Sequence, residues 1–165
     1  VKVDLKVKYF DKDLPKLTYN GDWIDLRVAE GYAEDLTTNT PIPVIDVTTP
    51  AGRGAYIINA KSIVKIPLGV GIALPKNHEA FIRPRSSLSK HTGLIDVSSG
   101  VIDEGYKGDN DQWFSVFYAT QSIVLAVNQR IMQFRIQEKQ PPINFIEVES
   151  FNSIDRGGHG SSGLF

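Results

Sequence analysis

The segment from Tyr56 to Pro75 reads YIINAKSIVKIPLGVGIALP and consists of short aliphatic runs interrupted by turn-forming residues. We interpret it as two strands, Ile63–Ile66 and Gly69–Leu74, with Pro67 between them. Aliphatic β-branched residues favour the pleated, partly buried surface of a sheet, and proline interrupts a strand because it lacks an N–H donor. The segment therefore predicts β structure.

Similar runs recur on both sides of this segment. Val1–Phe10 alternates between apolar and polar residues, as a half-buried strand does. The other predicted strands are Ala80–Arg83, Trp113–Thr120, Ser122–Val127, Ile131–Gln137 and Ile143–Val148. The best helix candidate is Ser86–Thr92, with a serine N-cap and Gly93 to end it. Many short strands with scattered turns predict an all-β barrel or jelly roll with one short helix.

Composition limits the class of protein. The 165 residues suit one domain, and 41% hydrophobic with 22% charged residues is typical of a globular protein. A net charge of -1 gives no reason to expect nucleic acid or an anionic membrane as partner. The absence of cysteine excludes disulfides and thiolate metal sites. With no signal peptide or long apolar run, a cytoplasmic location is the simplest expectation.

Two segments differ from the strand-rich remainder. Residues 29–55 are rich in threonine and proline, and we interpret them as a loop insertion on the surface with little core of its own. The tail from Asn152 is rich in glycine and serine and should be flexible. We therefore predict one β domain over residues 1–151 and a C-terminal arm over residues 152–165.

The segment Pro84–Leu88 contains Arg85, Ser86 and Ser87 at the start of the predicted helix. A planar cation, two hydroxyl groups and free backbone N–H groups form a good binding site for a phosphate. The alternative is an ordinary helix N-cap beside a surface arginine.

The segment Gly100–Gly108 places Asp103 and Glu104 between an apolar run and a glycine turn, followed by Tyr106. A carboxylate there could orient or deprotonate a water molecule, and the tyrosine ring could pack on a sugar. The alternative is a polar hairpin turn that Tyr106 covers.

The segment Asp155–Gly163 combines glycines with an arginine and serines, and such a segment can approach a polyphosphate through its backbone N–H groups. The alternative is a disordered linker. Gln129–Phe134 is, on its own pattern, an ordinary alternating strand.

Taken together and in order, these segments resemble the motifs of the trimeric dUTPase family. The resemblance covers roughly Gly21 to Gly163, and the segment beginning Gly100-Val101-Ile102-Asp103 is its most specific part. Two places compete for the first motif, which ends in Asp-Leu. We choose Asp25 over Asp35, because Asp35 is separated from Gly31-Tyr32 by two extra residues.

The resemblance implies a jelly-roll, distorted β-barrel subunit that forms a homotrimer with three active sites between subunits. It implies hydrolysis of dUTP to dUMP and pyrophosphate, which keeps uracil out of DNA and supplies dUMP for thymidylate synthesis. Asp103 would hold the water that attacks the α-phosphorus in line with the departing pyrophosphate. Mg²⁺ would be the cofactor, and Asp25 would reach it through water.

The same resemblance assigns the substrate-binding residues. Phosphate contacts would come from Arg85, Ser86, Ser87 and Gln133, and from the arm residues Arg156, Gly160, Ser161 and Ser162. Tyr106 would pack under the deoxyribose. Uracil would be read by the hairpin between about Ser99 and Gln112, with Ser99, Gly100, Ile102 and Asp111. Because the arm lacks the usual aromatic residue, either His159 or Trp113 would stack on the base, or stacking would be absent.

Two other functions are alternatives to dUTP hydrolysis. A dCTP deaminase shares the fold but needs a glutamate on the strand after the hairpin, and Asp111–Tyr118 contains none. A non-catalytic binding module would use the fold for protein contact. If the chain is phage-encoded, a regulatory protein partner could contact residues 29–55, whereas neither nucleic acid nor a membrane is expected.

Overall fold

The computed structural model describes residues 2–98 and 100–165, which form fifteen strands and one short helix. The elements are β1 Lys6–Tyr9, β2 Tyr19–Asn20, β3 Trp23–Arg27, β4 Ala33–Asp35, β5 Thr40–Ile42, β6 Val44–Ile45, β7 Ala55–Ile58, β8 Ile63–Pro67, β9 Val70–Ala73, β10 His78–Pro84, α1 Leu88–Thr92, β11 Leu94–Asp96, β12 Val101–Ile102, β13 Phe114–Ala119, β14 Ile123–Ala126 and β15 Arg130–Glu138. The prediction of an all-β subunit with one short helix is confirmed.

The strands form four antiparallel sheets. Two of them have five strands, in the orders β12-β10-β15-β3-β2 and β11-β13-β8-β4-β5. A three-stranded sheet has the order β14-β7-β6, and β1 pairs with β9. Strands far apart in the sequence are therefore neighbours in space, and the first of these sheets carries most of the predicted site residues.

The core follows from alternation along the strands. In β13, Ser115, Phe117 and Ala119 point inward and are fully buried, whereas the residues between them are only half-buried. Trp113, just before this strand, is also fully buried, and its ring meets Phe134 edge-on with centroids 5.1 Å apart. Such an edge-to-face arrangement is favourable for two aromatic rings in a core.

Residues 29–55 lie mostly at the surface, as their composition predicts, but they are not a loop. They contain β4, β5 and β6: β4 pairs with β8, β6 pairs with β7, and β5 pairs with β4. The segment is also tied to the core at its base, because the buried Tyr56 hydroxyl donates a hydrogen bond to the Ala29 carbonyl at 2.7 Å. The loop-insertion interpretation is therefore wrong for this segment.

Two local predictions have different outcomes. The helix ends as predicted at Gly93, which adopts a left-handed φ of 68° and donates its N–H to the Ser89 carbonyl at 2.8 Å. Ser87 occupies the N-cap position, but its side chain makes no capping hydrogen bond. The strand predicted over Ile143–Val148 is wrong, because residues 139–149 belong to no strand or helix.

Within the described residues, no helix has the length and apolar character needed to cross a membrane.

Candidate active site

One row of side chains crosses the sheet at Gln133. This residue of β15 lies opposite Asp25 of β3 on one side and Arg83 of β10 on the other. Their neighbours Leu26 and Met132 are buried in the core. Since successive side chains on a strand point to opposite faces, Asp25 and Gln133 lie on the outer face of the sheet.

Asp25 is surrounded by donors although it lies on the outer face. Its side chain is only 12% exposed. Asn20 Nδ2 donates to Asp25 Oδ2 at 2.9 Å, and Arg130 NH1 donates to the same oxygen at 3.1 Å. Arg85 Nε lies 3.4 Å from Asp25 Oδ1, which is buried and has no hydrogen-bond partner among the described residues. The Asp25 carboxylate therefore forms ion pairs with two guanidinium groups, and one of its oxygens has no hydrogen bond within the described residues.

A third arginine makes this cluster positively charged. Arg27 lies on the same strand as Asp25, and its NH1 donates to the Asn128 carbonyl at 2.9 Å. Burial lowers the pKa of Arg27, and the nearby charge of Arg130 lowers it further. Three guanidinium groups around one carboxylate leave a net positive charge, which favours a multiply charged anion such as a phosphate chain.

The other predicted phosphate ligands border this cluster. Gln133 Nε2 donates to the Pro84 carbonyl at 3.3 Å, next to Arg85. Ser86 is exposed and Ser87 is half-buried, and the missing cap bond leaves the Ser87 hydroxyl available to a ligand. The structure thus brings Asp25, Arg85 and Gln133 together, with both serines directly after Arg85 in the chain.

Asp103 lies at the other end of the same sheet. It follows β12, which pairs with Ala80 and Phe81 of β10. Gly100 enters this strand with a φ of 40°, and a side-chain carbon there would collide with the Ile82 carbonyl oxygen. Its own carbonyl accepts a hydrogen bond from the Ile82 N–H at 2.6 Å. Only glycine fits this close approach, which fixes where the hairpin leaves the sheet.

The hairpin after β12 is held by its own polar groups. Tyr106 donates its hydroxyl to the Gln112 carbonyl at 2.7 Å, and Asp111 Oδ2 accepts the Gly108 N–H at 2.7 Å. Burial raises the pKa of the Tyr106 phenol, and the charge of Asp111 adds to the increase. The Asp103 side chain is 79% exposed, and its Oδ1 accepts the Gly105 N–H at 3.2 Å. The hairpin therefore presents a free carboxylate edge to solvent.

The two carboxylates are far apart within one chain. Ile102 pairs with Ala80, so Asp103 lies beside Glu79, four residues along β10 from the row of Asp25. Three strand spacings also separate β12 from β3. With about 3.3 Å per residue and about 4.8 Å per strand, the separation is on the order of 20 Å. One chain therefore does not bring Asp103 to the arginine cluster.

The C-terminal arm is extended and exposed. Every residue from 141 to 165 is exposed, including Arg156, His159 and Gly160–Ser162. The Ser161 N–H donates to the Gly158 carbonyl at 3.1 Å, a bond within the arm itself. Residues 141–165, which include the arm, also expose large apolar side chains: Ile143, Phe145, Ile146, Val148, Phe151, Ile154, Leu164 and Phe165. None of these apolar side chains is buried against the described part of its own chain.

The structure differs from the predicted site at a few residues. Trp113 is fully buried in the core, so it cannot stack on a base, and this alternative is wrong. Ser99 lies outside the described residues. Sequence reasoning missed Asn20 and Arg130 as partners of Asp25. The only available signals were the Asn20-Gly21 turn and the position of Arg130 at the start of a strand.

The donor set can be tested against Mg²⁺. Among the described residues there is no group of three or more histidine and carboxylate side chains that could hold a metal ion. Mg²⁺ usually keeps several waters and takes only one or two carboxylates together with substrate phosphates. The single oxygen of Asp25 that lacks a hydrogen bond fits such an outer, water-mediated contact.

The comparisons with known proteins all indicate the same family. The family model described as dUTPase matches residues 52–163. A curated relative, the SPbeta prophage-derived deoxyuridine 5'-triphosphate nucleotidohydrolase YosS of Bacillus subtilis, is 40% identical over 98% of this chain and 99% of its own. The deoxyuridine 5'-triphosphate nucleotidohydrolase of Nocardia farcinica is 33% identical over 74% of this chain and 79% of its own.

Solved structures show the same fold at lower identity. A mutant dUTPase of Staphylococcus bacteriophage 80alpha with dUpNHpp superposes with a TM-score of 0.67 and 19% identity, over 99% of this chain and all of that one. A mutant dUTPase from phage phi11 of S. aureus, described as coordinating a structural Mg(II) ion, gives a TM-score of 0.64 and 14% identity, over 92% of this chain and all of that one.

Proposed function

The chain belongs to the dUTPase family and hydrolyses dUTP to dUMP and pyrophosphate, and we propose that each active site is shared between copies of a homotrimer. The observation that supports sharing is the separation, on the order of 20 Å, of Asp103 from the arginine cluster along one sheet. A triphosphate bound at the cluster needs a carboxylate from elsewhere, and an adjacent copy is its source.

The arginine cluster binds the triphosphate in this proposal. Arg85, directly after β10 and 3.4 Å from Asp25, and Gln133 of β15, with its amide 3.3 Å from the Pro84 carbonyl, face the phosphate chain. Ser86 and Ser87 add hydroxyl donors. Side chains already fixed by ion pairs need little reorganisation when the anion arrives, which increases their effect on a developing charge.

Asp103 activates the water. Its exposed carboxylate accepts a proton as the water oxygen forms a bond to the α-phosphorus, while the bond from that phosphorus to the pyrophosphate oxygen breaks on the opposite side. A positioned general base contributes about 10²–10⁴-fold to such a reaction. The hairpin bonds of Tyr106 and Asp111 hold the backbone around this carboxylate in place.

The residues present fit Mg²⁺ as the cofactor, with Asp25 in contact through water. When bound, the ion would offset the negative charge of the triphosphate and of the departing pyrophosphate. The net positive arginine cluster serves the same purpose from the protein side, because its charge exceeds that of Asp25.

Specificity is assigned to the hairpin. The Tyr106 ring packs under the deoxyribose and leaves no room for a 2′-hydroxyl group. Backbone groups around Ser99, Gly100, Ile102 and Asp111 read uracil, and a cytosine would leave buried polar groups unpaired at a cost of about 1–3 kcal/mol each. His159 is the stacking candidate that remains, since the Trp113 ring is buried.

The arm completes the site. Arg156, Gly160, Ser161 and Ser162 close over the terminal phosphate and exclude water from side reactions. The exposed apolar residues that precede them, such as Phe145 and Phe151, each 90% exposed, then pack on a neighbouring copy. Burial of these side chains gives the arm a physical reason to dock outside its own chain.

The substrate assignment is tested by supplying dUTP, dCTP, dTTP and UTP with Mg²⁺ and measuring pyrophosphate and ammonia. We expect pyrophosphate from dUTP alone and ammonia from none. Ammonia from dCTP would instead favour deamination, which the lack of glutamate over residues 111–118 argues against.

Sharing is tested by mixing two inactive chains. Asp103→Asn and Arg85→Gln variants are coexpressed in equal amounts and compared with each variant alone. If each site takes position 103 and position 85 from different copies, about a quarter of the sites in random trimers are intact. Recovery of about a quarter of wild-type activity supports sharing, and no recovery in mixed trimers contradicts it.

A regulatory protein partner remains a prediction that depends on phage origin. Deletion of residues 31–54 is unsuitable as a test, because it would remove β4, β5 and β6. Tyr32→Ser with Leu36→Ser alters only exposed side chains of that region. Unchanged capture of partners by this double variant would argue against a contact there.

A further inference from the structure

Glu104, next to Asp103, connects three separate segments of the chain. Its Oε2 lies 2.7 Å from Lys139 Nζ and accepts the Asn77 N–H at 3.2 Å. The Lys139 backbone N–H in turn donates to the Asn77 carbonyl at 2.9 Å. The hairpin after β12, the turn before β10 and the residue that follows β15 therefore meet at one junction, formed by Asn77, Glu104 and Lys139.

The two neighbouring carboxylates have opposite environments. The Glu104 side chain is 22% exposed and makes the short contact with Lys139, whereas the Asp103 side chain is 79% exposed. Lys139 Nζ still lies 3.7 Å from Asp103 Oδ1. Its hydrogen bond lowers the pKa of Glu104, and the same bond raises the pKa of Lys139. The pair therefore remains charged over the whole neutral range.

We propose that Glu104 and Lys139 are positioning residues for Asp103 and that they fix the direction of its carboxylate by anchoring the hairpin to the end of β15. This inference rests on the proposed function of Asp103. Two consecutive residues on a tight turn cannot reorient independently, so a fixed Glu104 fixes the backbone of Asp103.

The location of Lys139 gives the junction a second role. Lys139 is the first residue after β15, so it precedes the arm that carries Arg156 and Ser161. The junction therefore links the hairpin that carries Asp103 to the end of β15, from which the chain continues toward the arm. Because reaction rates respond steeply to small displacements of a catalytic group, loss of the junction should reduce turnover far more than folding stability.

The test uses Lys139→Met and Glu104→Ala in the full-length protein, with dUTP and Mg²⁺. We expect kcat to fall by about 10–100-fold while KM stays within about twofold, because the phosphate-binding cluster is untouched. Lys139→Arg should keep kcat within about threefold, since it can form the same ion pair. Lys107→Met is the matched control, because it removes an equal positive charge near Glu104, on its own hairpin, without a described ion pair.

The outcomes separate this inference from the proposed function. If Asp103→Asn is inactive but Lys139→Met and Glu104→Ala turn over at the wild-type rate, the junction does not position Asp103. If Lys139→Met loses turnover only in proportion to a lower melting temperature, its role is structural and the proposal also fails. If Asp103→Asn itself retains wild-type turnover, the proposed role of Asp103 is the one that fails.

Discussion

Asp25 and Asp103 lie on the same five-stranded sheet, yet their environments differ in almost every respect. Asp25 is 12% exposed, sits within a strand and is bound by Asn20 and two arginines. Asp103 is 79% exposed, sits on a turn and accepts one hydrogen bond from its own hairpin. The first carboxylate is held by several partners within a single chain, whereas the second is largely open to solvent.

The two carboxylates illustrate two ways in which a fold can hold a charged side chain. A carboxylate between guanidinium groups contributes to the fold, because its removal leaves like charges close together. A carboxylate on an exposed hairpin contributes almost nothing to the fold and can be specialised for chemistry. Activity and stability should therefore respond differently to substitution at these two positions.

The largest effect is expected at Asp103. Asp103→Asn keeps the size of the side chain but removes the base, so kcat should fall by about 10²–10⁴-fold. The melting temperature should stay within about 2 °C, because an exposed side chain contributes little to stability. Steady-state release of pyrophosphate and a thermal unfolding curve measure the two effects. A large loss of stability would contradict the contrast with Asp25.

The next effect is expected at Asp25. Asp25→Asn leaves Arg85 and Arg130 without their counter-ion and should reduce the free energy of unfolding by about 2–4 kcal/mol. Substrate binding should also weaken, because the released arginines lose their fixed positions. Urea denaturation and KM for dUTP measure the change.

Asp22→Asn is the matched control for Asp25→Asn. Asp22 lies three residues away, pairs with Arg135 at 3.2 Å and is 76% exposed. Its loss should cost less than about 1 kcal/mol, as is usual for surface ion pairs. Equal losses at positions 22 and 25 would mean that burial does not distinguish the two ion pairs.

The sequence predicts individual segments better than the contacts between them. Gly93 and Gly100 were marked by their positions, and both adopt backbone conformations that favour glycine. The contact of Asp25 with Arg130, 105 residues later, depends on the register of β3 against β15, including an irregularity near Arg130. Alternation along one strand contains no information about which partner it takes or in which register.

The two structural errors have related causes. The threonine and proline content of residues 29–55 indicates a loop, although β5 accommodates Pro41 at the edge of its sheet, where the missing donor costs little. Residues 143–148 have a strand-like pattern but belong to no strand. A periodic pattern forms a strand only where a neighbouring strand can pair with it, and sequence alone does not supply that neighbour.

A third carboxylate, Asp11, belongs neither to the arginine cluster nor to the hairpin that carries Asp103. It is 6% exposed and accepts hydrogen bonds from Arg53 at 2.9 Å and from the Glu30 N–H at 2.8 Å. Burial tends to raise its pKa, but the hydrogen bonds from Arg53 and the backbone outweigh it, and the net pKa is lowered. Asp11→Asn should cost about 1–3 kcal/mol at neutral pH and leave kcat unchanged.

The pH dependence of this effect has a definite sign. Because the pKa of Asp11 is lower in the folded state than its ordinary value of 3.8, its stabilisation is complete above that value. It is lost as the pH falls through the folded-state pKa. Urea denaturation of wild type and Asp11→Asn should therefore differ at pH 7 and converge in strong acid. A constant difference at all pH values would rule out this linkage.

The smallest effect is expected at Tyr106, on the hairpin that carries Asp103. Tyr106→Phe removes the hydroxyl that donates to Gln112 at 2.7 Å but keeps the ring. Loss of one partly exposed hydrogen bond should cost about 0.5–1.5 kcal/mol. The ratio of kcat/KM for dUTP to that for UTP should not change, because the proposed exclusion of a 2′-hydroxyl group depends on the ring and not on the phenol hydroxyl. Tyr106→Ala should reduce this ratio, and equal ratios in both variants would assign sugar selection to another residue.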